Sequence, residues 1–159
     1  MSIPTIDLRE PAEIVVRQLD DACSSFGFMQ VIGHGVDPVL ERDAWNYASA
    51  FFALDEQTKL AVAIPDGKAY GYGPFQVERL AASRGESTPP DLKETFSIGP
   101  FVDASELQSI VSRDPAAAFA YSPNRWPVEP KGMCDVMQRY YNELAVLCEQ
   151  LLSLMARGL

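Results

Sequence analysis

The most regular hydrophobic pattern in the chain lies at its C-terminal end. Apolar side chains recur there at intervals of three and four residues, which is the spacing of one face of an α-helix. The repeating positions are Met133, Met137, Tyr140, Leu144, Leu147, Leu151 and Met155. This spacing predicts one amphipathic helix over residues 131–157, about seven turns long. The apolar face is widened by Val136, Tyr141, Cys148 and Leu152. A face this wide exceeds what an outer helix of a small domain needs to bury.

Two strands and a helix are predicted near the N-terminus. Residues 3–8 alternate apolar and polar side chains, which indicates a short strand. The helix that follows has Pro11 in its first turn, where proline is tolerated. Its apolar face is formed by Val15, Leu19, Ala22 and Phe26. Residues 28–32 are mostly apolar on both faces, so we expect a buried strand that ends at Gly33.

A second helix is predicted to begin at Asp37-Pro38, which offers a capping carboxylate followed by proline at the first helical position. The apolar stripe of this helix comprises Leu40, Ala44, Tyr47 and Phe51. Residues 54–58 then indicate a break and a new cap. The region 64–130 differs, because it holds nine of the twelve prolines. Loops and short strands are therefore expected there instead of long helices, with the best strand at 95–98.

The composition limits the classes of partner. Apolar residues make up 47% of the chain, which argues against disorder. The net charge of −9 argues against a nucleic-acid or anionic-membrane partner, since both need a basic face. A small anionic substrate held by a few local cations stays open. The N-terminus has no signal-peptide pattern and no apolar run approaches membrane length, so a cytoplasmic protein is expected.

The cysteines carry little chemical signal. Their odd number and wide spacing fit neither a disulfide framework nor a zinc knuckle. Cys23 and Cys148 sit among apolar residues, so we expect them to be buried, reduced thiols.

Six short segments occur in the chain in a fixed order, and the order is as informative as the segments themselves. They are Ile3–Leu8, Ala22–Val36, Phe51–Leu54 with Glu56 and Lys59, Gly71–Gly73, Asp91–Gly99 and Asn124–Pro127. Together with the final helix, they resemble the non-haem iron oxygenases related to isopenicillin N synthase, over essentially the whole chain. The sequence departs from the family pattern at Gly33, where Asn is usual before His-Gly, and at Met29, where Phe is common.

The resemblance implies an α+β fold: the N-terminal α/β region of a double-stranded β-helix (jelly-roll) oxygenase, with a long C-terminal amphipathic helix. It implies one non-haem dioxygenase N-terminal domain over residues 1–159. Within it lie a strand and helix region (3–63), a loop-rich substrate-side region (64–130) and a long buttressing helix (131–157). The catalytic β-helix would lie mostly outside this chain and pack on the 131–157 helix. The complete enzyme would use Fe(II) and 2-oxoglutarate to hydroxylate, desaturate or cyclise a small molecule. The isopenicillin N synthase subtype, which uses no 2-oxoglutarate, stays open.

The chain lacks the residues that the family uses to bind iron and 2-oxoglutarate. A facial-triad iron site needs two imidazoles and one carboxylate, and the chain contains one histidine, His34. None of the nine arginines is followed two residues later by serine, so the Arg-x-Ser clamp that the family uses for 2-oxoglutarate is absent. We interpret His34 as a loop histidine that is hydrogen-bonded to backbone, and we expect no catalytic and no metal-binding residue in this chain.

The resemblance implies that the Gly-Tyr-Gly loop and the strand after Asp91 face the substrate. Tyr72 would donate a hydrogen bond to a substrate polar group and shape the pocket wall, and Phe96 would form an apolar wall. Lys93 or Arg79 would pair with a substrate carboxylate. The structural alternative for each is ordinary: a turn aromatic for Tyr72, a core ring for Phe96, and solvated charge for Lys93 and Arg79.

The sequence leaves two other interpretations open. In the first, the chain is a stand-alone, non-catalytic binding module that uses its apolar C-terminal helix to bind a partner or to self-associate. Alternatively, it is an unrelated α/β domain that matches the motifs by chance, which the ordered series of segments disfavours.

Overall fold

The computed structural model describes residues 2–75 and 92–159. The chain forms two compact units. The terminal unit comprises Met1–Asp43 and Arg139–Leu159, and the central unit comprises Ala44–Gln138. Two helices, α2 (Pro38–Phe52) and α6 (Met133–Ala156), contribute residues to both units.

The terminal unit is built on a parallel pair of strands joined by a helix. Strand β1 (Thr5–Asp7) pairs with β2 (Gln30–Ile32), with Ile6 opposite Val31, and α1 (Ala12–Ser25) connects them. A parallel pair needs such a crossover, because the chain must return to the same end of the sheet. The buried core consists of Ile6, Val15, Leu19 and Ala22, with Leu151, Leu154 and Met155 of α6 packed against it.

Two expectations for this unit are wrong. Phe26 does not extend the buried face of α1, because the helix ends at Ser25 and the Phe26 ring is exposed. The strand around Val31 is not buried either: Val31 is half-buried, while Phe28 and Ile32 are exposed. Among the described residues, β2 pairs with β1 alone, in a two-stranded sheet.

The cysteine expectation is also corrected. All three cysteines are free, but Cys23 and Cys148 are exposed and Cys134 is half-buried. Cys23 follows the buried Ala22 by one residue, and one residue turns a helix by about 100°. Its thiol therefore points away from the core although its sequence neighbours are apolar. At Cys134, burial raises the pKa of the thiol, with a smaller contribution from the Asp135 carboxylate.

The central unit contains the second half of α2 and five short elements. These are α3 (Glu56–Leu60), β3 (Gly71–Gly73), β4 (Thr95–Ser97), α4 (Ala104–Arg113) and α5 (Ala117–Ala120). Strands β3 and β4 are antiparallel. The buried core consists of Phe51, Val62, Tyr72 and Met133, with Tyr47, Phe96, Trp126 and Met137 among the residues packed against it.

The predicted helix starts are confirmed. Asp37 Oδ1 accepts a hydrogen bond from Val39 N at 2.8 Å, and Asp55 Oδ1 accepts one from Thr58 N at 2.9 Å. One three-turn helix, α4, lies in the region expected to lack long helices. Its cap has the same form, because Asp103 Oδ1 accepts from Glu106 N at 2.8 Å.

Helix α6 (Met133–Ala156) agrees with the helix predicted over 131–157. Within the terminal unit, Leu144, Val146 and Leu152 of this helix are exposed. In the described part of the chain, no helix is both long enough and apolar enough to cross a membrane.

Candidate functional site

The β3–β4 pair brings two of the predicted site residues face to face. Tyr72 lies directly opposite Phe96 in the antiparallel register. The backbone of Tyr72 is held on its other side as well, since its N–H donates to Val62 O and its carbonyl accepts from Ile64 N, both at 2.9 Å. Glycine at position 71 permits this close approach: its φ is +133°, and a Cβ atom there would lie 2.5 Å from Val62 O.

Both rings belong to an aromatic cluster in the central unit. The Phe51 ring centroid lies 5.9 Å from that of Tyr72, edge to face, and 4.6 Å from that of Phe96. Phe96 also contacts Trp126, with centroids 5.9 Å apart. Edge and tilted contacts of this kind are the favoured aromatic geometries. Tyr72 is 1% exposed, while Phe96 is half-buried.

An ion pair lies beside these rings. Lys59 Nζ is 2.6 Å from Glu94 Oε2, and the side chains are only 9% and 18% exposed. Lys59 Nζ also donates to Phe52 O at 3.3 Å, and the Tyr72 hydroxyl donates to the same Glu94 oxygen at 2.7 Å. One carboxylate oxygen thus joins α3, β3 and the residue preceding β4.

The three groups hold each other in their ordinary charge states. The hydrogen bond from Lys59, and then that from Tyr72, lower the pKa of Glu94. The hydrogen bond to Glu94 raises the pKa of Lys59. Burial, and then the hydrogen bond to Glu94, raise the pKa of Tyr72. Near neutral pH the carboxyl is anionic, the amine is cationic and the phenol is protonated. These shifts run opposite to what a general base or a nucleophile requires, so the network is suited to fixing positions.

The remaining predicted residues are placed differently. Lys93 is exposed and directly precedes Glu94. Arg79 lies outside the described residues. The roles of Tyr72, Phe96, Lys93 and Arg79 in substrate binding stay predictions. In the sequence, Lys59 and Glu94 stand out only as part of the family resemblance, which assigns them no role. The sequence offers only a weak indication that these two charges are partly buried: Lys59 directly precedes an apolar run, and Glu94 directly precedes the predicted strand 95–98.

His34 in the terminal unit behaves as an ordinary loop histidine. Its ring is half-buried, and its Nδ1 accepts a hydrogen bond from Val36 N at 3.2 Å. The neighbouring Asp37 N donates to Glu143 Oε2 of α6 at 2.9 Å, so that carboxylate is engaged with backbone.

The chain matches a known family over most of its length. Residues 3–129 fit the family model described as non-haem dioxygenase in morphine synthesis, N-terminal. The chain therefore belongs to the family of N-terminal domains of 2-oxoglutarate/Fe(II) oxygenases.

Curated relatives carry names of the same class. The 2-oxoglutarate-dependent dioxygenase eupC of Phoma sp is 31% identical, over 99% of this chain and 51% of the relative. The 2-oxoglutarate-dependent dioxygenase citB of Monascus ruber is 29% identical, over 99% of this chain and 48% of the relative. The chain thus spans about half the length of the curated relatives it matches.

Solved structures share the fold. A 2OG-Fe(II) oxygenase family protein from Caulobacter crescentus superposes with a TM-score of 0.78 at 23% identity, over 99% of this chain and 48% of that one. The dioxygenase for auxin oxidation in rice superposes with a TM-score of 0.61 at 24% identity, over 99% of this chain and 45% of that one. At these identities the likeness speaks for the fold alone.

The family's iron site does not fit the residues of this chain. One histidine cannot supply the two imidazoles of a facial triad, and the Nδ1 atom of that histidine is engaged with backbone. Within residues 2–75 and 92–159, no group of three His, Cys, Asp or Glu side chains is arranged to hold a metal ion.

Proposed function

We propose that the chain is the N-terminal, substrate-side half of an Fe(II)/2-oxoglutarate-dependent oxidoreductase that hydroxylates, desaturates or cyclises a small molecule. In this proposal the iron and 2-oxoglutarate ligands come from a C-terminal β-helix half, and the 159 residues alone have no activity. The whole chain, residues 1–159, then acts as one non-haem dioxygenase N-terminal domain.

One observation carries the proposal. Almost all of this chain matches about half of a 2-oxoglutarate-dependent dioxygenase, and this chain contains a single histidine. A facial triad with two imidazoles must then draw at least one ligand from the other half.

The central unit would contribute a fixed wall to the substrate pocket. Tyr72 and Phe96 stand opposite each other on β3 and β4. In this proposal Tyr72 shapes the wall instead of donating to a substrate group, because its hydroxyl already donates to Glu94. Phe96 is only half-buried and supplies apolar surface. Lys93 and Arg79 are the cations proposed to pair with a substrate carboxylate.

The terminal unit would receive the C-terminal half on helix α6, within the predicted 131–157 segment. Its side chains Leu144, Val146 and Leu152 are exposed. Burial of apolar surface is worth about 25 cal/mol per Å², so an association that covers these side chains is favoured.

The same exposed side chains favour a second candidate function. A stand-alone, non-catalytic module would use α6 to bind a partner or another copy of itself. Leu144 and Leu152, eight residues apart on α6, lie within about 80° of each other around the helix axis, and a contiguous exposed apolar patch is typical of an interaction surface.

The size of the natural polypeptide separates the two candidates. An immunoblot of source cells, with the recombinant 17.5 kDa chain as standard, reports that size directly. The oxygenase-half proposal expects a band at about twice this mass, since this chain covers 51% of the Phoma relative. A band that comigrates with the recombinant chain would refute it and favour the stand-alone module.

A further inference from the structure

A cavity of about 530 Å³ lies within the central unit, beside the N-terminus of α4. It is lined by residues 100–103, by Leu107 of α4, by residues 121–124 and 126, and by Gln138. Its volume falls in the range of about 300–1,000 Å³ that is usual for small-molecule sites. None of the roles proposed above uses this cavity.

Two stacked rings form one side of the cavity. The rings of Phe101 and Trp126 are nearly parallel, with 20° between their planes and 5.9 Å between their centroids. Trp126 also packs against Phe96, which packs against the buried Phe51. These ring contacts extend from the cavity into the core of the central unit, so the aromatic side of the cavity is held in place without a ligand.

Backbone contacts fix the adjoining segment. Asn124 Oδ1 accepts from Gly99 N at 2.8 Å, and its Nδ2 donates to Gly99 O at 3.1 Å. Ser122 is 3% exposed; its Oγ accepts from Ala69 N at 3.2 Å and donates to Phe119 O at 2.9 Å. These polar groups are committed to the protein and hold the lining in shape.

Two other polar groups are left for a ligand. Tyr121 and Gln138 both line the cavity, and within the described ranges 2–75 and 92–159 neither the Tyr121 hydroxyl nor the Gln138 side-chain amide has a hydrogen-bond partner. Together they offer donors and acceptors beside the aromatic side. A few polar groups in a mostly apolar cavity are what orients a small ligand.

The charge of the lining restricts the ligand. Asp103 is the one charged residue among the described residues that line the cavity. Its Oδ1 accepts from Glu106 N and Ser105 Oγ, and the hydrogen bond from Glu106 N lowers the pKa of this carboxyl, which therefore stays anionic. Asp103 is exposed, and among the described lining residues no cation offsets its charge, so an anionic ligand would be repelled by this carboxylate.

We propose that this cavity binds a planar aromatic small molecule that lacks an anionic group. The ring of the ligand packs against the Phe101–Trp126 pair, and a hydroxyl or carbonyl of the ligand bonds to the Gln138 amide or the Tyr121 hydroxyl. The proposal goes beyond the oxygenase function, because it rests on the residues of the central unit alone and needs neither iron nor a C-terminal half.

The test uses two probes with the same ring and different charge, 2-naphthol and 2-naphthoate. The chain has two tryptophans, so its indole N–H signals in a ¹⁵N NMR spectrum report on both. Trp45 is exposed on α2 and does not line the cavity, and it serves as the internal reference. We expect 2-naphthol to shift the Trp126 signal saturably and to leave Trp45 in place. We expect 2-naphthoate to bind at least tenfold more weakly.

Variants connect the binding to the cavity. F101A should weaken 2-naphthol binding at least tenfold, and Q138L should weaken it about threefold to tenfold, as expected for one lost hydrogen bond. F119A is the matched control, because Phe119 is exposed on α5 and does not line the cavity; its affinity should equal that of the wild type.

Several results would overturn the proposal: no shift of Trp126, equal affinity for the two probes, or F101A binding like F119A. If F101A fails to fold, nuclear Overhauser contacts between 2-naphthol and the Trp126 ring in the wild-type chain decide the matter. Their absence overturns the proposal. The oxygenase proposal stands or falls separately, since the immunoblot does not depend on this cavity.

Discussion

The Nζ atom of Lys59 lies 2.6 Å from Oε2 of Glu94, and this ion pair joins helix α3 to the start of strand β4 across 35 positions of sequence. Both side chains are largely buried, and Tyr72 donates to the same carboxylate oxygen. The pair thus fixes the position of the strand that carries Phe96.

Breaking the ion pair should destabilise the fold. Among the described residues, K59M leaves the Glu94 carboxylate with the Tyr72 hydroxyl as its one side-chain donor, and E94Q removes the charge that Lys59 faces. Removing one partner of a buried pair costs about 3–5 kcal/mol, and the residual exposure here places the expected loss near the lower end. The free energy of unfolding in urea measures it.

The control for this prediction is an exposed pair. Arg157 and Glu13 approach to 3.7 Å, and their side chains are 54% and 79% exposed. R157Q should change the free energy of unfolding by no more than about 0.5 kcal/mol. Equal effects of K59M and R157Q would mean that the Lys59–Glu94 pair contributes no more than surface charge does.

The contribution of Glu94 should depend on pH in one direction. Its folded-state pKa lies below the ordinary value of 4.5, so the stability it provides is present above that value and is lost as the pH falls through the folded pKa. Lys59 has a raised pKa, so its contribution is present below the ordinary value of 10.5 and is lost only in more alkaline solution. The difference in unfolding free energy between wild type and E94Q should therefore be constant near neutrality and shrink below about pH 4. A difference that grows on acidification would contradict the ion pair.

Tyr72→Phe should cost more stability than Tyr121→Phe. The Tyr72 hydroxyl donates to Glu94 in a largely buried setting, and losing such a bond to a charged group costs about 1.5–3 kcal/mol. Tyr121 lines the cavity of the central unit and makes no side-chain hydrogen bond within the described ranges, so Y121F should be nearly neutral. Thermal unfolding of the two variants makes the comparison, and equal losses would remove the structural role assigned to the Tyr72 hydroxyl.

Much of the secondary structure can be predicted from the local sequence. The contacts that shape the site cannot, because they join residues far apart in the chain. Helix α6 repeats its apolar spacing along its whole length, so the predicted range 131–157 and the observed Met133–Ala156 nearly coincide. Asp37 and Asp55 are recognisable as caps because a cap acts within three residues. Asp103 caps α4 in the same way, but the sequence-based expectation for this region rests on its prolines and does not include a helix here.

Exposure and ion pairing depend on residues far apart in the chain. Phe28 and Ile32 are exposed. The exposure of a strand depends on which other elements pack on it, and a local sequence pattern does not contain that information. Lys59 and Glu94 lie on separate elements, and one sequence offers no indication that these two charges meet. The exposed Cys23 is a similar case, since its apolar neighbours belong to the other side of the helix.

Gly71→Ala should be far more damaging than Gly67→Ala. Both glycines have positive φ, +133° and +69°. A Cβ atom at Gly71 would lie 2.5 Å from Val62 O, while one at Gly67 would have no neighbour within 4 Å. G67A should cost about 1–2 kcal/mol for the left-handed backbone alone. G71A must also displace the backbone of residues 62–64, so its urea midpoint should fall well below that of G67A. Equal midpoints would show that the close approach at Gly71 is not a requirement of the fold.

The central claim is that this chain belongs to an iron oxygenase family yet supplies no iron site of its own. Anaerobic calorimetric titration of the 159-residue chain with Fe(II), with and without 2-oxoglutarate, tests it most directly. We predict no saturable binding at one equivalent in either case, because a single histidine with a backbone-bonded ring cannot form the triad. Tight binding of one Fe(II) per chain would contradict the claim, since the ligands would then have to lie within these residues.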